Sequence, residues 1–340
     1  MQSLNVAAGA QNPSEECSGY ITEDLTLFRT EDAYCILCGP TVSGFPIASG
    51  WDFEYGTVRE EHHFEMCSKC GTVYIKDRPA REEMATIYPD NYYSYSESSH
   101  NMSIVAFIRN RMESSKGERY AQLLGQGKRE VIDIGCGDGR LLDILRRQNG
   151  EWRLSGIEIN VRAAASARSK GYPVALGDFE SDEIPWAPGT FDLALLHQVL
   201  EHTRDPRKVL KRIALILKVG GCLSIETPDI ESLDFHLFKK RYWGGYHIPR
   251  HFYLFNKRSL VDLLKEEGFE IVRIESILSP VFWIHSAHNW LVDRKWGRGV
   301  ARVFNYRNPV LLAAATTIEL AGTMIWRRSS NMQIIARKRS

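Results

Sequence analysis

The stretch Val131–Arg140, reading VIDIGCGDGR, limits the fold more than any other part of the chain. Val131, Ile132 and Ile134 form a short buried-strand pattern, with Asp133 at its carboxyl end. Gly135, Gly137 and Gly139 follow, and Leu141, Leu142, Ile144 and Leu145 then open a helix pattern. Strand, glycine turn and helix begin a βαβ unit in which backbone can approach a ligand closely. The spacing is not G-x-G-x-x-G, whose helix N-terminus holds a pyrophosphate. It is D-x-G-x-G-x-G, with further acid at Asp138. Two carboxylates at such a turn repel a pyrophosphate and favour a cation.

Downstream segments extend this unit into an open α/β sheet. Arg153–Glu158 reads as a second strand ending in an acid, about 20 residues past the glycine turn, where a carboxylate takes ribose hydroxyls. Asn160 caps the next helix and Gly171 ends it. Val174–Leu176 is a third strand, and Phe191–Leu196 is an apolar fourth suited to the buried centre of a parallel sheet. His197–His202 (HQVLEH) leaves the carboxyl end of that strand, the edge at which such sheets bind ligands. Asp205 and Pro206 supply N-cap and N1 of a helix whose core face is Val209, Leu210, Ile213, Ile216 and Leu217. Gly220-Gly221 is expected to stop it. Cys222–Glu226, Glu270–Glu275 and Asn331–Lys338 read as the remaining strands, with a helix over Ser259–Glu267.

Taken in order, the glycine turn, Glu158, the VLEH…DP stretch and LKVGG resemble the class I S-adenosylmethionine (SAM)-dependent methyltransferases over roughly Glu130–Ser276. The resemblance implies an α/β, Rossmann-like, seven-stranded sheet whose last strand is antiparallel. It implies SAM as cofactor, held by Asp133, Gly135, Cys136, Gly137, Gly139, Glu158, Ile159, Asp178, Phe179 and His197. In that family the residue at Asp178 contacts the adenine amino group and its neighbour packs near the ring.

Ahead of this domain stand Cys35-x-x-Cys38 and Cys67-x-x-Cys70, each followed by glycine. Paired C-x-x-C motifs point to a tetrahedral Zn2+ site, and four thiolates make a closed, structural one. Unrelated thiols or a disulfide are the alternatives. His62 and His63 could replace a sulfur but read better as surface or substrate-facing residues. The arrangement resembles a zinc ribbon. With no basic start or apolar core at Met1–Gln11, a leader peptide is not expected and the cysteines are expected to be reduced. Cys17 has no evident partner. The expected organisation is a mobile tail over 1–24, a zinc-ribbon-like unit over 25–80 and a Tyr-rich link with helices over 81–125. The methyltransferase domain then runs over 126–340, with insertions at 230–256 and 279–330.

Displacement at a sulfonium methyl is in line, so the protein must hold methyl and nucleophile close and aligned. A hydroxyl nucleophile also needs a base titrating near neutrality, which suits histidine. His251, His247 and His202 lie at or near the ligand edge, the first two on a loop (241–253) whose aromatic and basic residues read as a substrate-facing surface. Tyr92 and Tyr93, in a tyrosine-rich turn, either orient the acceptor or pack between domains. No carboxylate cluster of the kind a metal-dependent base needs follows the fourth strand.

A zinc ribbon, a Tyr-rich link and a class I domain together resemble the sugar C-methyltransferases of polysaccharide and natural-product pathways. Those carry a further C-terminal domain, whereas here the sheet is expected to close at Asn331–Lys338. The core motifs also resemble quinone-precursor O-methyltransferases. The expected acceptor is therefore a small molecule, sugar or lipid-linked compound. A net charge of +1 argues against nucleic acid. An RNA or protein methyltransferase is the rival class, and a non-catalytic SAM-binding scaffold the second. The expected location is cytoplasmic, peripheral to the inner membrane face if the apolar segment Pro309–Trp326 touches lipid. That segment is long enough to span a bilayer, but a span would strand Asn331–Lys338 on the wrong side of its sheet. It reads instead as a core or dimer-packing helix, with peripheral membrane contact through 296–328 as the alternative.

Overall fold

The structure is a computed structural model and describes residues 28–89, 116–294, 303–304 and 308–339. The tail, Cys17, Tyr92, Tyr93 and the greater part of the link lie outside those residues.

The N-terminal segment forms β1 (Thr30–Asp32), β2 (Gly44–Gly50), β3 (His62–Cys67), β4 (Val73–Ile75) and β5 (Asp77–Pro79). β1 pairs with β5, while β2, β3 and β4 form an antiparallel sheet. The fourth strand of that sheet is β11 (Tyr253–Leu254), which pairs with β4 and comes from the insertion more than a hundred residues downstream. The cysteine-bearing unit is thus completed by the domain it precedes.

The main sheet uses β6 (Glu130–Ile134), β7 (Arg153–Glu158), β8 (Val174–Leu176), β9 (Phe191–His197), β10 (Leu217–Pro228), β12 (Phe269–Ile277) and β13 (Asn331–Lys338). Their order is β12-β13-β10-β9-β6-β7-β8. β6 to β10 are parallel, and β13 runs antiparallel between β10 and β12. The α/β, Rossmann-like seven-stranded fold implied by the motifs is the one found. Chain order reverses between β6 and β9, and the crevice at such a switch point is where these sheets bind ligands.

Burial explains the strands. Ile132, Ile134, Leu196 and Ile225 belong to one apolar cluster, while Val131, Leu193, Leu195 and Cys222 belong to another. Alternate residues therefore serve opposite faces, and both faces are covered, as the apolar runs require. Each fully buried leucine or isoleucine contributes about 1.5–3 kcal/mol.

Helices α1 (Arg140–Gln148), α2 (Val161–Ser169) and α3 (Pro206–Ile216) form the crossovers. Asn160 accepts the amide of Ala163, and Asp205 that of Lys208, so both expected caps form. One boundary differs. α3 stops at Ile216 and β10 begins at once, so Gly220-Gly221 sits inside the strand, in an irregular stretch between Leu217 and Cys222. The amides of Gly189 and Thr190 take the carbonyls of Leu215 and Ile216, which ends the helix earlier than the glycines. A Cβ on Gly221 would lie 2.9 Å from the Lys218 carbonyl and 3.1 Å from that of Phe191. Close backbone approach, not helix termination, requires glycine there.

Two further expectations are corrected. The loop 241–253 is no exposed surface, since Trp243, Tyr246, Ile248, Arg250 and Phe252 are all buried. The Trp243 indole donates to Asp234 at 2.6 Å, and the Arg250 guanidinium meets Asp52 at 2.8 Å. The aromatics fill the seam between the N-terminal sheet and the main domain. After α4 (Leu233–Phe238), α5 (Lys257–Glu266) and α6 (Pro280–Val292), helix α7 (Pro309–Trp326) is not a core helix. Only Ala315, Glu319 and Gly322 are buried, a stripe one residue wide. Glu319 anchors the helix by accepting the amides of Ser279 (2.9 Å) and Ser330 (3.0 Å), while Val310, Ile318, Met324 and Ile325 stay exposed.

Candidate methyl-donor crevice and histidine cluster

The glycine turn leaves β6 at the switch point. Gly135 has φ +73°, and a Cβ there would come within 2.7 Å of Val199 Cγ2. The turn therefore lies against the segment that leaves β9. Gly139, in the left-handed region at φ +80°, opens α1. Cys136 is buried, and its Sγ would lie 2.5 Å from a Cβ on Gly156, so β7 needs glycine beside it.

Asp133 and Glu158 are both buried at the tips of β6 and β7. Glu158 accepts the amides of Gly137 and Asn160, each at 2.8 Å, and so ties the glycine turn to the second strand. Burial, reinforced by the Glu158 charge, pushes the Asp133 carboxyl up to about 8. Burial also raises Glu158, against the pull of those amides. A bound cation removes the penalty on both charged forms. Asp178 lies at the end of β8, accepting from the Glu180 amide (2.8 Å) and the Ser181 hydroxyl (2.5 Å). Phe179 is buried in the main core with Arg212 over its ring, and Ile159 is exposed.

Beyond β9, Gln198 is held at φ +53°. Glu201 and His202 follow on a short 3-10 turn, and the buried loop brings His247 and His251 to them. The His202 ring centroid is 4.4 Å from that of His251 and 6.0 Å from that of His247, and the latter two are 5.1 Å apart. All three expected histidines thus share one cluster. Their ring hydrogens can be assigned. His251 Nδ1 lies 2.7 Å from the Gly245 carbonyl, and His202 Nδ1 lies 3.1 Å from that of Arg250. A carbonyl only accepts, so both Nδ1 atoms donate, and each neutral ring keeps its lone pair on Nε2. Burial, with the neighbouring histidine charges, lowers His202 to about 3 and holds His251 well below the ordinary value. His247 sits at φ +41°, an uncommon conformation outside glycine, with Nδ1 2.8 Å from the Glu54 carboxylate. Glu54 is held well down by His247 and His285, which outweigh its burial.

Residues 106–274 match the family model for a methyltransferase domain. This part of the chain is a class I SAM-dependent methyltransferase domain. The chain is 29% identical over 114 residues to a ubiquinone biosynthesis O-methyltransferase of Albidiferax ferrireducens, covering 32% of this chain and 44% of that one. It is 26% identical over 184 residues to an O-methyltransferase of Aspergillus sclerotiorum, covering 50% and 65%. The chain therefore spans roughly half to two thirds of these curated relatives. Among solved structures, a SAM-dependent methyltransferase from Archaeoglobus fulgidus superposes with a TM-score of 0.45 at 21% identity, over 69% of this chain and all of that one.

The methyltransferase domain also holds a polar network that sequence patterns did not mark. Tyr120, on the helix over 116–124, has its hydroxyl 2.8 Å from His197 Nε2, 2.9 Å from Ser224 Oγ and 2.9 Å from Gln333 Nε2. Lys116 meets the buried Glu226 at 2.7 Å. His197, buried, is lowered to about 4. Ser224, Glu226 and Gln333 interrupt otherwise apolar strands, and that interruption was the available signal. Glu54 carried none, lying far from every motif.

In the N-terminal unit the four cysteine Sγ atoms lie within 4.8 Å of one another, with Cys35 and Cys70 at 3.4 Å. None of the four is joined in a disulfide. His62 and His63 are turned instead to Asp77, their Nδ1 atoms 2.9 Å from its carbonyl and 2.8 Å from its carboxylate.

Proposed function

We propose that this chain transfers a methyl group from SAM to a small-molecule, sugar or lipid-linked acceptor. One observation carries the proposal: the acid-lined glycine turn at Asp133 and Glu158 abuts, through Gly135 and Val199, the segment that bears the histidine cluster. SAM is a sulfonium without phosphate, and its ribose and charged tail suit carboxylates at the tips of the first two parallel strands. The donor's contacts come from Asp133, Gly135, Cys136, Gly137, Gly139, Glu158, Ile159, Asp178, Phe179 and His197.

His247 is the proposed base. Its Nδ1–H is oriented by the buried Glu54 carboxylate, the arrangement that fixes tautomer and steadies a developing imidazolium. The acceptor oxygen attacks the methyl carbon, the sulfur–methyl bond breaks, and the hydroxyl proton passes to His247. The products are the methyl ether and the neutral thioether. His202 and His251, neutral at pH 7, line the acceptor side, with Tyr92 and Tyr93 as the proposed acceptor-orienting phenols.

The four clustered thiols fit a structural Zn2+, which would hold the ends of the β2–β4 sheet together. The proposed setting is cytoplasmic. The exposed apolar face of α7, flanked by Arg327 and Arg328, suits contact with the inner membrane face, and through it a lipid-linked acceptor. O-methyltransferase relatives support the small-molecule class over RNA or protein acceptors.

Incubating the protein with methyl-labelled SAM and fractionated cell extract tests the proposal. Label is expected in a small-molecule or lipid fraction. Label confined to RNA or protein would overturn it.

A further inference from the structure

A second group of donors in the chain has the composition of a metal centre, separate from the four cysteines. Glu201, His202 and His251 each offer one ligand atom, and these lie within 4.8 Å of one another. Two imidazoles and one carboxylate form a set that takes a first-row divalent cation and leaves positions open.

Three features distinguish it from a chance cluster. First, Glu201 is fully buried, and one of its oxygens, Oε1, has no hydrogen-bond partner among the described residues. The other accepts the Thr227 hydroxyl at 3.0 Å. An unpartnered buried carboxylate oxygen is costly, and a bound cation would satisfy it. Second, both histidines donate Nδ1–H to backbone carbonyls, His202 to Arg250 and His251 to Gly245. That outer contact is the one metal-bound histidines make, and it leaves the Nε2 lone pairs for an ion. Third, the donors come from two segments that the fold fastens together. The Phe252 amide donates to the Glu201 carbonyl at 2.7 Å, and Tyr88 places its hydroxyl 3.0 Å from His202 Nδ1.

We infer that Glu201, His202 and His251 form a binding site for a divalent first-row cation such as Zn2+, Mn2+ or Co2+, on the acceptor side of the donor crevice. The site deepens the methyl-transfer proposal and rests on it only for its use. A cation in this position gives an acceptor oxygen a docking point beside His247 and lowers the pKa of a hydroxyl bound there. The second histidine arrives from a loop some fifty residues further on, so no local spacing announces the set.

The test uses the full metal-stripped chain given one equivalent of Zn2+, which the four thiolates take first, then titrated with Co2+. Wild-type protein is expected to take up one equivalent of Co2+ with the visible absorption of a nitrogen- and oxygen-ligated ion. Glu201→Gln and His202→Asn are expected to lose that equivalent and that absorption while keeping the zinc. Wild-type protein that takes up no Co2+, or variants that take it up as wild type does, would overturn the inference. The wild-type arm decides even if a variant does not fold. SAM binding, measured on the same samples by calorimetry, keeps the two proposals apart. Cation uptake without SAM binding would sink the methyl-transfer proposal and leave this site standing. SAM binding without cation uptake would do the reverse.

Discussion

Replacing Glu158 with alanine is expected to abolish measurable SAM binding in a protein that still folds. Glu158 is buried at the tip of β7 and already accepts two backbone amides, those of Gly137 and Asn160. A carboxylate has about four lone-pair positions, so acceptor capacity remains for two ribose hydroxyls. Hydrogen bonds to a charged group contribute about 1.5–3 kcal/mol each, so losing two costs at least about a hundredfold in affinity. The substitution also frees the Gly137 amide, which loosens the turn that the donor must meet. Glu158→Gln, which retains an acceptor, is expected to fall between the two. Calorimetric titration reads the effect, with circular dichroism as the check on folding. An alanine variant that binds SAM as wild type does would remove Glu158 from the site.

The second large effect concerns stability. Asp52→Ala is expected to destabilise the protein by about 3–5 kcal/mol, because it strands a buried guanidinium. Asp52 and Arg250 are both fully buried and paired through two contacts, at 2.8 and 3.2 Å. Burial alone would raise the Asp52 carboxyl, yet the Arg250 charge wins and holds it below its ordinary value. Arg250 also donates to the carbonyls of Ile87 and Ile248, so one side chain gathers the N-terminal unit, the start of the link and the histidine loop. Chemical denaturation followed by fluorescence measures the loss. A variant within about 0.5 kcal/mol of wild type, the ordinary range for a surface substitution, would show that the pair does not hold these segments together.

How much of this was legible in sequence depends on how local each signal is. The parallel strands carry their signals in themselves. Arg153–Glu158 and Val174–Leu176 are found where apolar runs and flanking glycines place them, as is Asn331–Lys338 between β10 and β12. Asn160 and Asp205 cap their helices because an N-cap depends on only three or four residues. The misplaced end of α3 has the opposite cause. Gly220-Gly221 looks like a stop signal, but Thr190 and Gly189 reach across from the start of β9 and end the helix first. No pattern within α3 reveals that.

The loop 241–253 shows the same limit on a larger scale. Its tryptophan, tyrosines and arginines suit either an exposed recognition surface or a seam. The deciding fact is Asp52, nearly two hundred residues away, waiting for Arg250. The polar residues that escaped notice, Tyr120, Glu226, Gln333 and Glu54, share this property. Each is buried or nearly so, and each is held by a partner distant in sequence. α7 erred differently. Its apolar composition is consistent with burial, yet only the stripe through Ala315, Glu319 and Gly322 is buried.

The account depends most on what the acid-lined crevice accepts, and a paired titration asks this directly. Wild-type protein is titrated calorimetrically with SAM and, separately, with NAD, at a series of pH values. In the free protein Asp133 holds its proton up to about pH 8. A cationic ligand favours the ionised carboxylate, so binding below that pH must expel the proton and is weakened by that cost. SAM is expected to bind, with affinity rising as pH increases towards about 8 and then levelling, and NAD is expected to give no heat. Binding of NAD, or no binding of SAM at any pH, would contradict the account.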